Sequence, residues 1–370
     1  MNLPVPQPFY HKLSHSLIAI ALILLGIYLG QDILVPLAMA ILLAVLLRPV
    51  EAWLMRLGLP KAVAISIAVT LAVLVLAGVA ILISMQLSDF SDEWPKLKRN
   101  INDAYRDVRR WVRREYSVSY RQQDQYLKNA QTQTLENLKG AETLGIVTGP
   151  LGSLVLLPIY IFLFLYYRAM LLHFIVVLFA DKYKAKVLDI VGAIKAIIQS
   201  YMVGLMLETG AVALMNSIGL LLLNVQYAIL LGVMAAILNL VPYIGGLVAT
   251  ALAVMVTFIN HPDGYTLAGV VGVFLTVQFI DNNLLVPLVV GSKVRINALV
   301  SIVGVLVGGA LAGISGMFLS IPAIAILKVI FDRVEGLEPW GILIGDQTPE
   351  QENNNLFRLR KRRKKPTEES

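Results

Sequence analysis

Long apolar runs separated by short charged clusters organise this chain. The first run, Leu17 to Leu47, is interrupted only by Gln31 and Asp32. Each half is shorter than the roughly 20 residues a perpendicular crossing needs, which predicts two short helices joined by a tight turn. After Arg48, Arg56 and Lys61 comes an unbroken apolar stretch from Ala62 to Leu87, long enough to span a bilayer. Leu151 to Tyr167 is a further membrane segment. From Asp181 to Ser200, Lys182, Lys184, Lys186 and Lys195 alternate with Val187, Ile190, Val191, Ile194 and Ile197, the pattern of an amphipathic helix lying at a membrane surface. Met202 to Leu223 then reads as a span. The last three apolar segments, Tyr227–Ile259, Tyr265–Val290 and Ala298–Phe331, are all broken by glycine, proline or polar residues.

One region is polar. Between Ser88 and Thr143, Trp94, Leu97, Ile101, Ala104, Val108 and Trp111 follow a coiled-coil-like spacing, with Lys98, Arg99, Arg106, Arg109, Arg113 and Arg114 on the outward positions. Such a stripe suits helix packing rather than a cofactor. The expected fold class is therefore an all-α integral membrane protein with a small extramembrane helical insertion. Its expected domains are N-terminal membrane helices at 1–87, an external helical insertion at 88–148, and a membrane helix plus cytoplasmic interfacial helix at 149–199. A membrane transport core at 200–335 and a basic cytoplasmic tail at 336–370, expected to be disordered, complete the chain.

Composition agrees with that reading. Hydrophobic residues are 57% and charged residues 15% of the chain, against about 45–50% and 25% in soluble domains. The net charge of +7 is local: Arg358, Arg360, Lys361, Arg362, Arg363, Lys364 and Lys365 supply seven positives, leaving 24 basic and 24 acidic residues elsewhere. Beside a membrane, that block marks topology and touches anionic lipid, so a nucleic-acid partner is not expected. With no cysteine, the chain holds no disulfide, thiolate metal site or cysteine nucleophile. The start of the chain lacks a basic stretch and a cleavage site, so Leu17 onward reads as a retained membrane segment.

Charged short loops stay in the cytoplasm, which puts Arg48–Lys61, Arg168–Lys195 and the tail inside, and 88–148 outside. Single crossings in the last third would then leave the Lys293/Arg295 loop outside. The conflict disappears if Tyr227–Ile259 and Ala298–Phe331 are re-entrant hairpins, bent at Pro242–Gly246 and near Gly313–Gly316. Two long, kinked spanning helices are the alternative.

Four groups inside the apolar regions are candidates for function. Asn239, Pro242, Tyr243, Gly245 and Gly246 form NLVPYIGG, and Gln278, Asp281, Asn282, Asn283 and Pro287 lie in QFIDNNLLVP. A carboxylate at membrane depth costs about 2.5–3.5 kcal/mol, so Asp281 with its neighbouring amides reads as a polar solute pathway. Glu208 is the other intramembrane carboxylate and, with Asp281, a candidate for ion coupling; pairing with a neighbouring helix is the plainer reading for Glu208. Gly304, Gly308, Gly309 and Gly313 have small-xxx-small spacing and are expected to be helix-packing positions. No catalytic residue, metal site or cofactor is expected: the chain lacks a Walker-type loop, His-Glu-x-x-His and Gly-x-Ser-x-Gly, and His11, His15, His173 and His261 are scattered.

The stretches NLVPYIGG, QFIDNNLLVPLVVGSKVRIN and GVLVGGALAGISGMFLSIP resemble the C-terminal signature of the autoinducer-2 exporter family of bacterial transporters. The hydropathy plan is similar over nearly the whole chain, the 88–145 region and the tail excepted. The resemblance implies an inner-membrane permease with about eight membrane segments, homo-oligomeric and pentameric, whose hairpins carry solute by elevator-like displacement. It implies a small-molecule or ion substrate and a lipid environment; members are linked to export of autoinducer-2 and to sodium/proton exchange. Ala298 and Val203–Leu205 depart from the family pattern. The expected function is a gradient-driven secondary transporter or exporter of a small solute, with both termini cytoplasmic. A scaffold or assembly factor acting through the 88–145 helices and the tail is the alternative.

Overall fold

The computed structural model describes residues 9–92, 99, 106, 110, 114, 148–241, 245–260, 263–290 and 296–346. The Trp94–Trp111 stripe, the Pro242–Ile244 part of the first bend, the Lys293/Arg295 loop and residues 347–370 of the tail lie outside the described residues, whereas Glu338–Ile344 of the tail expected to be disordered is helical. Among those described, every regular element is helical, with one isolated bridge between Ile296 and Gly345.

The first apolar run gives α1 (Phe9–Leu29) and α2 (Gln31–Arg56), which break at Gly30 beside the two polar residues. Helix α2 runs on through Arg48, with Pro49 inside it, so the charged stretch expected to be loop up to Arg56 is helical. Next come α3 (Lys61–Asp92), α4 (Thr148–Tyr166) and α5 (Arg168–Val177), with α4 and α5 meeting at a 63° bend. A 3-10 turn, Asp181–Tyr183, leads into α6 (Lys184–Leu222). The expected interfacial helix and the span after it are thus one continuous helix, because nothing between Ser200 and Met202 breaks the backbone. Then follow α7 (Ala228–Asn239), α8 (Gly245–Asn260) and α9 (Gly264–Ile280), the last started by Asp263, whose side chain accepts from the Thr266 N–H at 2.8 Å. A π-helical stretch, Asp281–Val290, continues α9. Pro287, which has no N–H to donate to the helix, lies inside it. Helices α10 (Ala298–Arg333) and α11 (Glu338–Ile344) end the described chain.

Among the described residues, five helices are long and apolar enough to cross a membrane, or six if the bent α4–α5 pair is one span. Their outward faces are lined by exposed residues such as Leu34, Leu74 and Leu214, which suits lipid rather than water. Length alone would pass α10 as one span of 36 residues, but Ala312 (φ −148°, ψ 29°) and Gly313 (φ 57°, ψ −143°) are not helical. The chain turns back there, so Gly308 lies against the backbone of Gly316, Gly304 against Ile324 and Gly309 against Met317. A backbone approach that close leaves no room for a Cβ. Gly313, expected both near the bend and among the packing positions, is the turn residue, with open space around it and a backbone conformation that only glycine adopts cheaply.

Two compact units are present. One comprises Met1–Ile65, Tyr160–Leu207 and Leu284–Ser370 and contains the folded-back α10. Within it Asn297 caps α10, accepting from the Val300 N–H at 2.8 Å and donating to the Leu343 carbonyl at 2.6 Å, which ties α11 to the start of α10. Arg333 and Lys186 pair with Asp189 and Glu335 at 3.1 and 3.0 Å, exposed contacts contributing about 0–1 kcal/mol each. The second unit comprises Ser66–Ile159 and Glu208–Asn283. Its core is Leu220, Val225, Ala228, Leu231, Ala235, Ala249, Ala253, Val270 and Phe274, in which alanines let α7 and α8 pack closely.

Candidate functional site

Within the second unit, three helices bring polar groups together where α7 ends. Asn239 is the last residue of α7, and its Nδ2 donates to Asp281 Oδ2 at 2.9 Å, across 42 residues of sequence. Asp281 is 2% exposed and starts the π-helical stretch. Across from them, α6 presents Val212 and Asn216, the latter 3% exposed. Together with Ala235, Gly246, Ala249, Phe274, Val277 and Gln278 they line a small cleft. The cleft is narrow, with room for about one water molecule.

The glycines after the bend make this approach feasible. A Cβ on Gly245 would overlap the Leu238 carbonyl, and one on Gly246 would strike Gln278 Oε1. Gln278 Nε2 donates to Asn282 Oδ1 at 3.3 Å, which holds its carbonyl end toward Gly246. Asp281 Oδ1 and Asn216 Oδ1 are buried and have no hydrogen-bond partner among the protein atoms. The lining therefore offers one carboxylate and several amide oxygens.

The residues singled out from the sequence fall into three sets. Asp281, Asn239, Gln278 and Gly246 meet at the cleft, with Gly245 behind them. Asn282 is exposed and reaches the site only through Gln278. Asn283 turns away: it is exposed, and its Nδ2 donates to the Phe279 carbonyl at 2.8 Å, where the helix changes from α to π and the backbone bonding shifts. Glu208 is 8% exposed and near enough to Asp281 for their charges to interact, but it does not line the cleft. Pro242 lies outside the described residues.

Asn216 was missed. Its signal was nonetheless present, because Glu208, Val212 and Asn216 recur every four residues and so share one stripe of α6. Glu51 was also missed; it is 1% exposed and pairs with Arg48 at 3.1 Å inside α2.

A broken helix, a buried carboxylate and amides at its tip are what membrane transporters place at a solute or ion site. Comparison with known proteins decides the family: residues 17–336 match the model described as AI-2E family transporter. The chain belongs to that family. It is similar to the Escherichia coli protein YhhT, 23% identical over 351 residues, covering 94% of this chain and 98% of that one. It is also similar to the AI-2 transport protein TqsA of Escherichia coli, 25% identical over 339 residues, covering 90% and 94%. YueF of Bacillus subtilis is 28% identical over 262 residues, covering 69% and 70%. Membership of the AI-2E family, together with the apolar helices, makes this a multi-pass inner-membrane protein with a membrane transport function.

Proposed function

We propose that this AI-2E family member is a gradient-driven secondary transporter that exports a small polar solute, with autoinducer-2 or a molecule of similar polarity as its cargo, and that it is not an enzyme. The observation that carries this reading is the hydrogen bond from Asn239, at the end of α7, to the buried Asp281 carboxylate. It joins a helix break to the one charge lining the cleft, so the state of that charge can bias the position of the break. On this reading α7–α8 and the folded-back α10 are re-entrant hairpins among about eight membrane segments. They move solute by an elevator-like displacement in a homo-oligomer, a pentamer by family resemblance. The termini and the Lys293 loop are cytoplasmic, and the 88–148 insertion is external.

Asp281→Asn keeps the size of the side chain and removes its charge. In proteoliposomes, autoinducer-2 flux should fall at least tenfold or lose its dependence on the imposed sodium or proton gradient, while oligomer elution stays that of the unaltered protein. Normal, still gradient-dependent flux in the assembled variant would show that Asp281 is structural.

A further inference from the structure

Helix α11 is strapped across the open end of the folded-back α10. The Asn297 N–H, at the start of the first arm, donates to the Ile344 carbonyl at 3.0 Å, and Asn297 Nδ2 donates to the carbonyls of Leu343 and Gly345 at 2.6 and 3.4 Å. On the second arm, Lys328 Nζ, paired with Asp332, donates to the Gly341 carbonyl at 3.2 Å. A Cβ on Gly341 would strike Asp332 Oδ1, so the helix lies close against that arm. These bonds decide which side of α11 turns outward. Gly341 and Ile344 are buried, whereas Trp340, Ile342 and Leu343 are 57%, 51% and 59% exposed.

The surroundings of α11 narrow what covers those three side chains. Along the first arm of α10, Leu299, Ile302, Val303 and Leu306 are exposed, as lipid-facing residues of a membrane helix are. At the end of the second arm, Lys328, Asp332, Arg333 and Glu335 carry charges in partly exposed ion pairs, which belong in water. The strap is bonded where apolar and charged surfaces meet, and tryptophan is enriched at that level of membrane proteins. A second protein chain is a poorer match. Three side chains at these exposures offer on the order of 300 Å², against roughly 800 Å² per partner in a stable interface. Charge points the same way: the seven positives from Arg358 to Lys365 follow shortly after α11 in sequence and draw this end of the chain to a negative surface.

We propose that α11 is a foot resting in an anionic lipid surface, with Trp340, Ile342 and Leu343 bedded at the boundary between headgroups and acyl chains. A helix lying in the interface sinks its apolar side about 5–10 Å. The assignment needs only the multi-pass membrane character of the chain and is independent of the cargo and of its coupling.

The test follows Trp340 alone. Trp53→Phe, Trp94→Phe and Trp111→Phe leave it the only tryptophan of the chain. The full chain so altered is reconstituted in mixed phosphatidylcholine and phosphatidylglycerol vesicles whose acyl chains carry bromine either near the headgroup or near the chain end. Blue-shifted emission is expected, quenched about twofold or more strongly by the shallow bromines than by the deep ones, and scarcely by acrylamide. Brominated phosphatidylglycerol should quench more than brominated phosphatidylcholine at equal mole fraction, and that preference should vanish when the seven basic residues from Arg358 to Lys365 become glutamine. Should the triple replacement fail to assemble, Ile342→Cys labelled with bimane in this cysteine-free chain reads the same depths. Emission open to acrylamide and indifferent to bromine would place α11 in water, and blue-shifted emission that neither quencher reaches would place it under protein, a second copy included. Stronger quenching by the deep bromines would place it in the membrane core. Each of these three results overturns the proposal, and equal quenching by the two brominated lipids overturns the choice of an anionic surface.

Discussion

Replacing Gly309 and Met317 with cysteine should staple the two arms of α10 to each other. An ideal Cβ on Gly309 lies 3.1 Å from Met317 Cγ, the place a cysteine sulfur takes at the same χ1. With an S–S bond of about 2.05 Å, a relaxed disulfide sets each Cβ about 3 Å from the far sulfur, so the bridge closes without backbone movement. Met317 also gives up its Cε, the atom nearest the new side chain at 2.6 Å. In a straight helix the same two residues, eight apart, would be separated by about 12 Å, well beyond the roughly 7 Å between Cα atoms that a disulfide tolerates. The chain has no cysteine of its own, so the readout is clean. Membranes are oxidised with copper phenanthroline, denatured, treated with N-ethylmaleimide and weighed by intact mass spectrometry. Most molecules should carry no adduct, and two after prior reduction; a non-reducing gel separates bridges within one chain from those between chains. Val63→Cys with Leu71→Cys, at the same spacing within α3, should remain fully alkylated. Two adducts on the Gly309/Met317 variant after oxidation would refute the fold-back and leave a single kinked helix.

Gly246→Ala should fill the cleft, since its methyl must displace Gln278 Oε1; overpacking of this kind costs about 1–3 kcal/mol. A fall of several degrees in apparent melting temperature and loss of solute flux are expected, and an unchanged melting temperature and flux would mean that the cleft is wider than described. Single cysteines at Arg56, Lys293 and Lys361 should react with membrane-impermeant maleimide only in inside-out vesicles, and one at Arg109 only in intact cells. External labelling at position 293 would remove the hairpin topology while leaving the multi-pass assignment untouched.

The sequence made the membrane class legible because apolar runs are a local signal, readable over 20 residues without knowing the fold. It also placed an interruption at Gln31 and Asp32, and the break between α1 and α2 falls one residue earlier, at Gly30. Continuity was harder to see. Lysines between Asp181 and Ser200 suggest a surface helix, but helix geometry has no objection to passing from an amphipathic into an apolar stretch, and α6 does so without a break. The same limit applies to the QFIDNNLLVP cluster. Its polar residues occur together in sequence, yet the turn of the helix sends Asp281 inward while Asn282 and Asn283 are exposed. Proximity along the chain was read as proximity at the site, and only one of the three adjacent residues lines the cleft.

What separates a functional polar residue from a structural one in these helices is whether it can satisfy itself. Thr257 is 1% exposed, but its hydroxyl donates to the Ala253 carbonyl at 2.7 Å; Ser301 and Ser320 do likewise to Asn297 and Met317, at 3.1 and 2.6 Å. Hydroxyls bond back within their own helix, so a serine or threonine in an apolar run carries little message about function. Glu51 has the opposite charge of Arg48 at 3.1 Å, one turn away on α2, an ion pair without an aligned hydrogen bond. Asn216 and Asp281 differ, because each keeps a buried side-chain oxygen that no neighbour on its own helix partners. Such an oxygen must be met by a group brought from elsewhere in the fold, and these two are brought to one cleft. In an apolar helix, therefore, amides and carboxylates are the residues to follow, with hydroxyls set aside first. That filter selects Asp281 and Glu208 at once, and it adds Asn216, two helical intervals beyond Glu208 on the same stripe of α6.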